Sequence, residues 1–226
     1  VLFLTPFIYF LTSFAGLLLF VVLIGFFVAL KLVQAKGKKI GALAILSVGF
    51  LSIGAYFVPY VNHEVNRGID EFTEAFNEPA KYREENKTET ESFKARALLW
   101  SVAAELVREN PMGYGSGDGK NTFVAKCKSY DLEVGKKGLN PHNQYLQTTL
   151  AVGAIGLVVL FALILIQLQF AWEKKNFLLF CLVFGMAFHA LFESVLELQS
   201  GIVFFCLLTC ILINESSKDW KNLKNG

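Results

Sequence analysis

Apolar positions run along this chain in long blocks with no polar face, so neither a period of two nor one of 3.6 dominates them. A membrane-spanning helix needs about 20 apolar residues at ~1.5 Å each. Residues 40–61, 142–169 and 177–196 each satisfy this, and 198–214 forms a shorter fifth block. Residues 1–30 exceed it, so that block must tilt, kink near Pro6, or include an interfacial piece. No period of 20–50 residues repeats, which excludes a solenoid. The pattern predicts an all-α polytopic membrane protein, with about five transmembrane helices and one large external loop that itself contains helices.

The polar stretch, 62–141, is too long for a mere connector. Its first part, 62–91, reads as irregular chain or a surface helix. Thr88 and Glu91 then form a T-x-x-E capping box. Phe93, Ala97, Trp100, Ala104 and Val107 follow at helical spacing, predicting a helix over 89–109 that stops at Asn110-Pro111. At the other end of the stretch, Asn140 can cap a helix whose first residue is Pro141. That places His142 in the first turn, where the helix dipole disfavours an imidazolium.

Charge sharpens the picture. The 226 residues are 54% hydrophobic and 18% charged, which excludes a disordered tail and argues against a water-soluble globule. Residues 1–30, 40–61 and 142–172 carry no charge, and 176–214 carry only Glu193 and Glu197. The stretch 62–141 holds 12 Lys/Arg and 14 Asp/Glu. Basic clusters at Lys31–Lys39, Lys174-Lys175 and Lys218–Lys224 each follow an odd number of spans, so all three fall on one side, the cytoplasm. The expected organisation is two spans over 1–61 with a basic cytoplasmic loop at 31–39, a periplasmic loop over 62–141, three spans over 142–214, and a basic cytoplasmic tail over 215–226. The chain opens inside an apolar run, without an initiator Met or a basic leader, and is expected to be the C-terminal piece of a longer protein. Cys127 is alone in the loop and Cys181, Cys206 and Cys210 lie in spans, so no disulfide framework or metal site is expected. The net charge of +2 marks no nucleic-acid partner.

Several residues are candidates for chemistry. Arg96 shares a helix face with Trp100, either as a surface Arg stacked on a ring or as a ligand for phosphate. Gly113, Gly115, Gly117 and Gly119 alternate along a loop that is either merely flexible or lets a ligand approach the backbone. His142 is either an idle interfacial residue or a general base. His189 and Glu193, four apart, are a candidate intramembrane pair unless Glu193 already lies in the outer turn.

Taken in order, Arg96-Ala-Leu-Leu-Trp100, Asn110-Pro111-x-Gly113-x-Gly115, Pro141-His142-Asn143-x-x-Leu146 and Gly153-x-x-Gly156-Leu157 resemble the O-antigen ligase/O-antigen polymerase superfamily over about residues 90–205. The resemblance implies a glycosyltransferase of the C-type fold in the bacterial inner membrane. Such enzymes serve lipopolysaccharide and polysaccharide biosynthesis. They move a glycan from undecaprenyl diphosphate to an acceptor on the periplasmic face, inverting the anomeric centre without cofactor, metal or nucleotide sugar. The acceptor would be a glycan, lipid A core or protein. By this resemblance Arg96 engages the diphosphate and His142 activates the acceptor hydroxyl. Trp100, Gly113, Gly115, Asn143 and Arg67 are the expected substrate-binding residues. One departure stands out: Thr12-Ser13-Phe14-Ala15-Gly16 carries Phe14 where the family has an Arg. A second cation would then come from Arg67, Arg83, Arg108 or a residue upstream of Val1. The rival readings are a transporter or flippase of the same lipid-linked glycan, and a membrane-anchored sensor with 62–141 as its ectodomain.

Overall fold

The computed structural model describes residues 59–90 and 93–224; of the side chains of 59–62, 64 and 215–224 nothing is said. The span expected at 1–30, all of that expected at 40–61 except its last three residues, the basic loop at 31–39, the Phe14 element and Glu91 lie outside these residues. Contacts divide the chain into two compact units, 1–69 and 70–226, each taken by itself below. All regular structure among the described residues is helical.

Helix α1 (Pro59–Asn77) and the short α2 (Pro79–Glu85) occupy the stretch expected to be irregular or a surface helix. Each opens on proline, whose fixed φ and missing N–H suit a first turn. In the second unit, Tyr82 of α2 is buried and donates its hydroxyl to Glu71 Oε2 at 2.8 Å. Helix α3 (Phe93–Glu109) is the centre of this unit. It buries Ala95, Ala97, Leu98, Leu99, Val102, Ala103 and Leu106, a set too broad for one amphipathic stripe. The helix expected from residue 89 is shorter than that. Thr88 sits in a turn where Glu89 N–H donates to the Asn86 carbonyl (3.1 Å) and Lys87 O accepts from Glu133 N (2.8 Å).

Helices α4 (Gly119–Ser129) and α5 (Glu133–Lys136) cover one side of α3 through Phe123, Cys127, Leu132 and Val134, all fully buried. The long apolar helix α6 (Gln144–Glu173) is the one described helix with the length and composition to cross a membrane. Ile155 (64% exposed), Val158 (67%) and Leu165 (63%) lie open on it, as a lipid-facing surface requires. Helix α7 (Phe177–His189) is apolar but shorter, because the block expected to run to 196 ends in a turn at 190–194 and a 3-10 turn at Val195–Glu197. Helix α8 (Gln199–Lys224) follows and is apolar through Asn214. Ala171, Leu179 and Val183 close the contact between α6 and α7, with Phe205 and Leu212 of α8 against them.

The continuity of α6 is only apparent. Gly153 has φ 73° and ψ −173°, outside any helix. At that break Tyr114 N–H donates to Leu150 O (2.8 Å) and Gly115 N–H to Ala151 O (2.9 Å), while Ala154 N–H donates to Pro111 O (2.9 Å). The Pro111–Gly115 loop thus replaces the helix's own hydrogen bonds. A Cβ on Gly113 would lie 2.5 Å from Gly153 N, and one on Gly153 would lie 2.5 Å from the Met112 carbonyl carbon and oxygen. Both glycines are required by this close approach. The segment after the break, about 20 residues, is ~30 Å long, the thickness of a bilayer's hydrocarbon core.

Candidate functional site

Three elements converge beside α3. The helix itself carries Arg96. The chain before α6 carries His142, and the turn after α7 carries Glu193. His142 is not in the first turn of α6, as the Asn140 cap had predicted. The cap is Asn143, whose Oδ1 accepts from Leu146 N at 3.0 Å. Asn140 Oδ1 instead accepts from His142 N (3.0 Å), making a side-chain turn that sets His142 at φ 47° before the helix starts. A non-glycine residue in this left-handed region carries backbone strain, held by its surroundings.

Those surroundings are specific. Trp100 Nε1–H donates to Pro141 O at 2.9 Å, tying the His142 segment to α3. Asn143 Nδ2 donates to Leu191 O (3.0 Å), Gln144 N–H to Ala190 O (2.8 Å), and Leu196 N–H to Gln144 Oε1 (2.7 Å). Asn140 Nδ2 and Gln147 Nε2 both donate to the carboxylate of Glu197. These bonds clamp the two outer segments together and bring Glu193 onto His142.

Glu193 Oε2 accepts from His142 Nδ1 at 2.9 Å. Its other oxygen lies 3.6 Å from Arg96 Nη2. A carboxylate only accepts, so a proton of this ring sits on Nδ1, and Nε2 is the nitrogen left without a partner in the hydrogen bond. The three side chains are each about a third exposed (His142 32%, Arg96 38%, Glu193 39%), so the cluster is reachable. Arg96 and His142 line a cavity of about 470 Å³ together with Thr90, Phe93, Leu139 and Lys137.

The other sequence candidates fall elsewhere. Trp100 does not stack on Arg96: it packs on Phe72, ring centroids 4.8 Å apart, and holds Pro141. The Asn143 amide serves as cap and clamp, and the residue lines a different cavity. Gly113 and Gly115 serve the α6 break and do not line the Arg96 cavity. His189 is exposed at the end of α7, and its ring has no partner among the described residues. Its pairing with Glu193 is limited to the backbone, His189 O accepting from Glu193 N at 3.0 Å. Arg67 is exposed on α1, in the first unit. Arg83 is held by Glu105 at 2.9 Å, lies 4.2 Å over the Tyr130 ring, and lines a separate cavity of about 280 Å³ with Arg108. Lys137 and Thr90 were not singled out by sequence, since a lysine in a loop has no spacing to mark it. Glu193 was noticed, but for the wrong histidine.

Away from this cavity, burial acts against the Glu105 carboxylate. Hydrogen bonds from Tyr130 and Lys126, and the charges of Arg83 and Lys126, outweigh that and hold it below the usual carboxylate value. Burial pushes the Cys127 thiol up to about 12, with the Arg83 charge opposing.

Among the described residues, no group of three His, Cys, Asp or Glu side chains is placed to hold a metal ion. The family model described as O-antigen ligase matches residues 1–161, which include Arg96 and His142 but stop short of Glu193. No curated protein and no solved structure matches the chain. A match over that share of the length, joined to the ordered motifs around Arg96 and His142, places this chain in the O-antigen ligase family of integral membrane proteins.

Proposed function

We propose that this protein transfers a glycan from a polyprenyl (undecaprenyl) diphosphate carrier to an acceptor hydroxyl at the outer face of the bacterial inner membrane. The observation that carries the reading is the Glu193 carboxylate. It bridges the general-base candidate at 2.9 Å and the phosphate-binding candidate at 3.6 Å, beside one cavity.

His142 Nε2 takes the proton of the acceptor hydroxyl as its oxygen attacks the anomeric carbon. The bond from that carbon to the diphosphate oxygen breaks on the opposite face, and the diphosphate leaves with the electron pair. One displacement inverts the anomeric centre. Glu193 fixes the tautomer that exposes Nε2 and faces the imidazolium as it forms, which is the positioning role of the acid in a Ser-His-Asp triad. Base assistance is worth roughly 10²–10⁴-fold. Arg96 offers a planar, permanently charged fork to the leaving diphosphate. Stabilising charge that develops in a partly dry site is usually the largest contribution to the rate. The ~30 Å segment of α6 after Gly153 is long enough to cross the bilayer, and His142 lies beyond its outer end, on the side from which the headgroup of a lipid-linked donor is reached.

The test is glycan transfer by the full-length protein in lipid, with surface glycans and lipid-linked intermediates resolved on gels. Loss of transfer in His142→Ala, with donor accumulating and the protein still inserted, supports the reading. Transfer at the wild-type rate in both His142→Ala and Arg96→Ala refutes it. Long glycan left on the carrier marks ligation to a separate acceptor, and single repeats without long chains mark polymerisation.

A further inference from the structure

The charges of the site do not balance its substrate if Arg96 is the sole cation. Glu193 faces Arg96 at 3.6 Å and offsets it. His142 must be neutral to accept a proton. Arg96, Glu193 and His142 together therefore carry no net positive charge, while the leaving diphosphate is a multiple anion. Lys137 lines the same cavity and donates to Thr90 Oγ1 at 3.0 Å, across 47 positions of sequence. It has no carboxylate partner among the described residues, whereas its neighbour Lys136 is paired with Asp131 (2.9 Å) and Glu133 (3.5 Å). Arg83 and Arg108 are at the other cavity. An ammonium on a four-carbon stem binds phosphate as a mobile point charge, complementing the fixed fork of Arg96.

We infer that Lys137 is the second cation of the donor site, its ammonium exchanging the hydrogen bond to the Thr90 hydroxyl for one to the diphosphate. This rests on the donor site being the Arg96–His142 cavity. Its contribution is greatest as the bond to the anomeric carbon breaks, because the diphosphate then gains charge.

Full-length protein in lipid nanodiscs, titrated with lipid-linked glycan donor and with inorganic pyrophosphate as competing anion, tests it. Lys137→Gln is expected to lower kcat/KM for the donor by about 10–100-fold, the scale of a charged hydrogen bond. It should weaken pyrophosphate inhibition in step and leave the acceptor KM unchanged, and Lys137→Arg should restore most of the activity. Lys136→Gln removes the same unit of charge one residue away and should behave as wild type. Donor kinetics and pyrophosphate inhibition within twofold of wild type in Lys137→Gln, while Arg96→Gln is inactive, would overturn the role of Lys137 and leave the site standing. An equal loss in Lys136→Gln would reduce the effect to general surface charge and overturn it too. Wild-type transfer by Arg96→Gln and His142→Ala would remove the site itself, and Lys137 with it.

Discussion

Replacing Gly153 with alanine attacks the feature that divides α6. The native φ of 73° with ψ −173° is a region open essentially to glycine alone. The added Cβ would also sit 2.5 Å from Met112 C and O and 2.8 Å from Met112 Cα, all backbone atoms that cannot swing aside. Two responses are open to the chain. It can keep the break, with backbone strain of about 1–3 kcal/mol plus the displacement of Met112. Or it can close α6 into a regular helix, regaining the helix's bonds but leaving Tyr114 N–H, Gly115 N–H and the Pro111 carbonyl without their partners, at about 1 kcal/mol each. Both routes cost roughly 2–4 kcal/mol, or about 4–16 °C in melting temperature at ~2–4 °C per kcal/mol. The assay is thermal unfolding of the detergent-solubilised full-length protein at a fixed scan rate. Gly117→Ala serves as control, because a Cβ there meets nothing within 4 Å. Glycan transfer should fall too, since the segment before the break carries Gln144 and Gln147, which hold the Glu193 turn. If Gly153→Ala melts within 1 °C of Gly117→Ala, the loop insertion does not stabilise the protein and the account of α6 is wrong.

Further outcomes follow from the same geometry. Glu193→Ala should lower kcat by roughly 10²-fold with little change in melting temperature, and Glu193→Gln should not recover it, because its amide can keep the oxygen toward Arg96, turn its NH2 to Nδ1, move the ring proton to Nε2, and offer no charge to the imidazolium; wild-type activity in Glu193→Gln would show that the carboxylate is not what matters. Cys127, fully buried and with its thiol raised to about 12, should resist maleimide at pH 8 until the protein is denatured, as peptide mass mapping would show; rapid labelling of native protein would contradict the packing of α4 on α3. The Glu105 carboxyl is depressed in the folded state, so its contribution to stability is complete above its unfolded value near 4.5 and is lost as pH falls through the lower folded value. Melting curves of wild type and Glu105→Gln should therefore differ at pH 6 and converge toward pH 3; a constant difference over that range would exclude the linkage.

Much of the architecture could be read before any coordinates. Beyond residue 141 the charge-free blocks announced apolar helices, and Phe93, Ala97 and Trp100 at helical spacing announced α3, because periodicity reports which face is buried. Arg96 and His142 were legible as a pair from their place in an ordered set of motifs. The limits of that reading are as physical as its success. Asn140 and Asn143 are equally good caps by composition, and only their competing partners, His142 N and Leu146 N, decide which one begins α6. Gly113 and Gly153 are ordinary glycines in a loop and an apolar helix until two backbones must pass within a Cβ of each other. Glu193 meets His142 from 51 residues away, and Lys137 reaches Thr90 across 47, separations that no local spacing encodes. The sequence by itself determined which segments are apolar, where the polar chemistry is concentrated and which two side chains head the list. Tertiary structure alone decided their partners, because hydrogen bonds and ion pairs act over about 3 Å in space and are indifferent to distance along the chain.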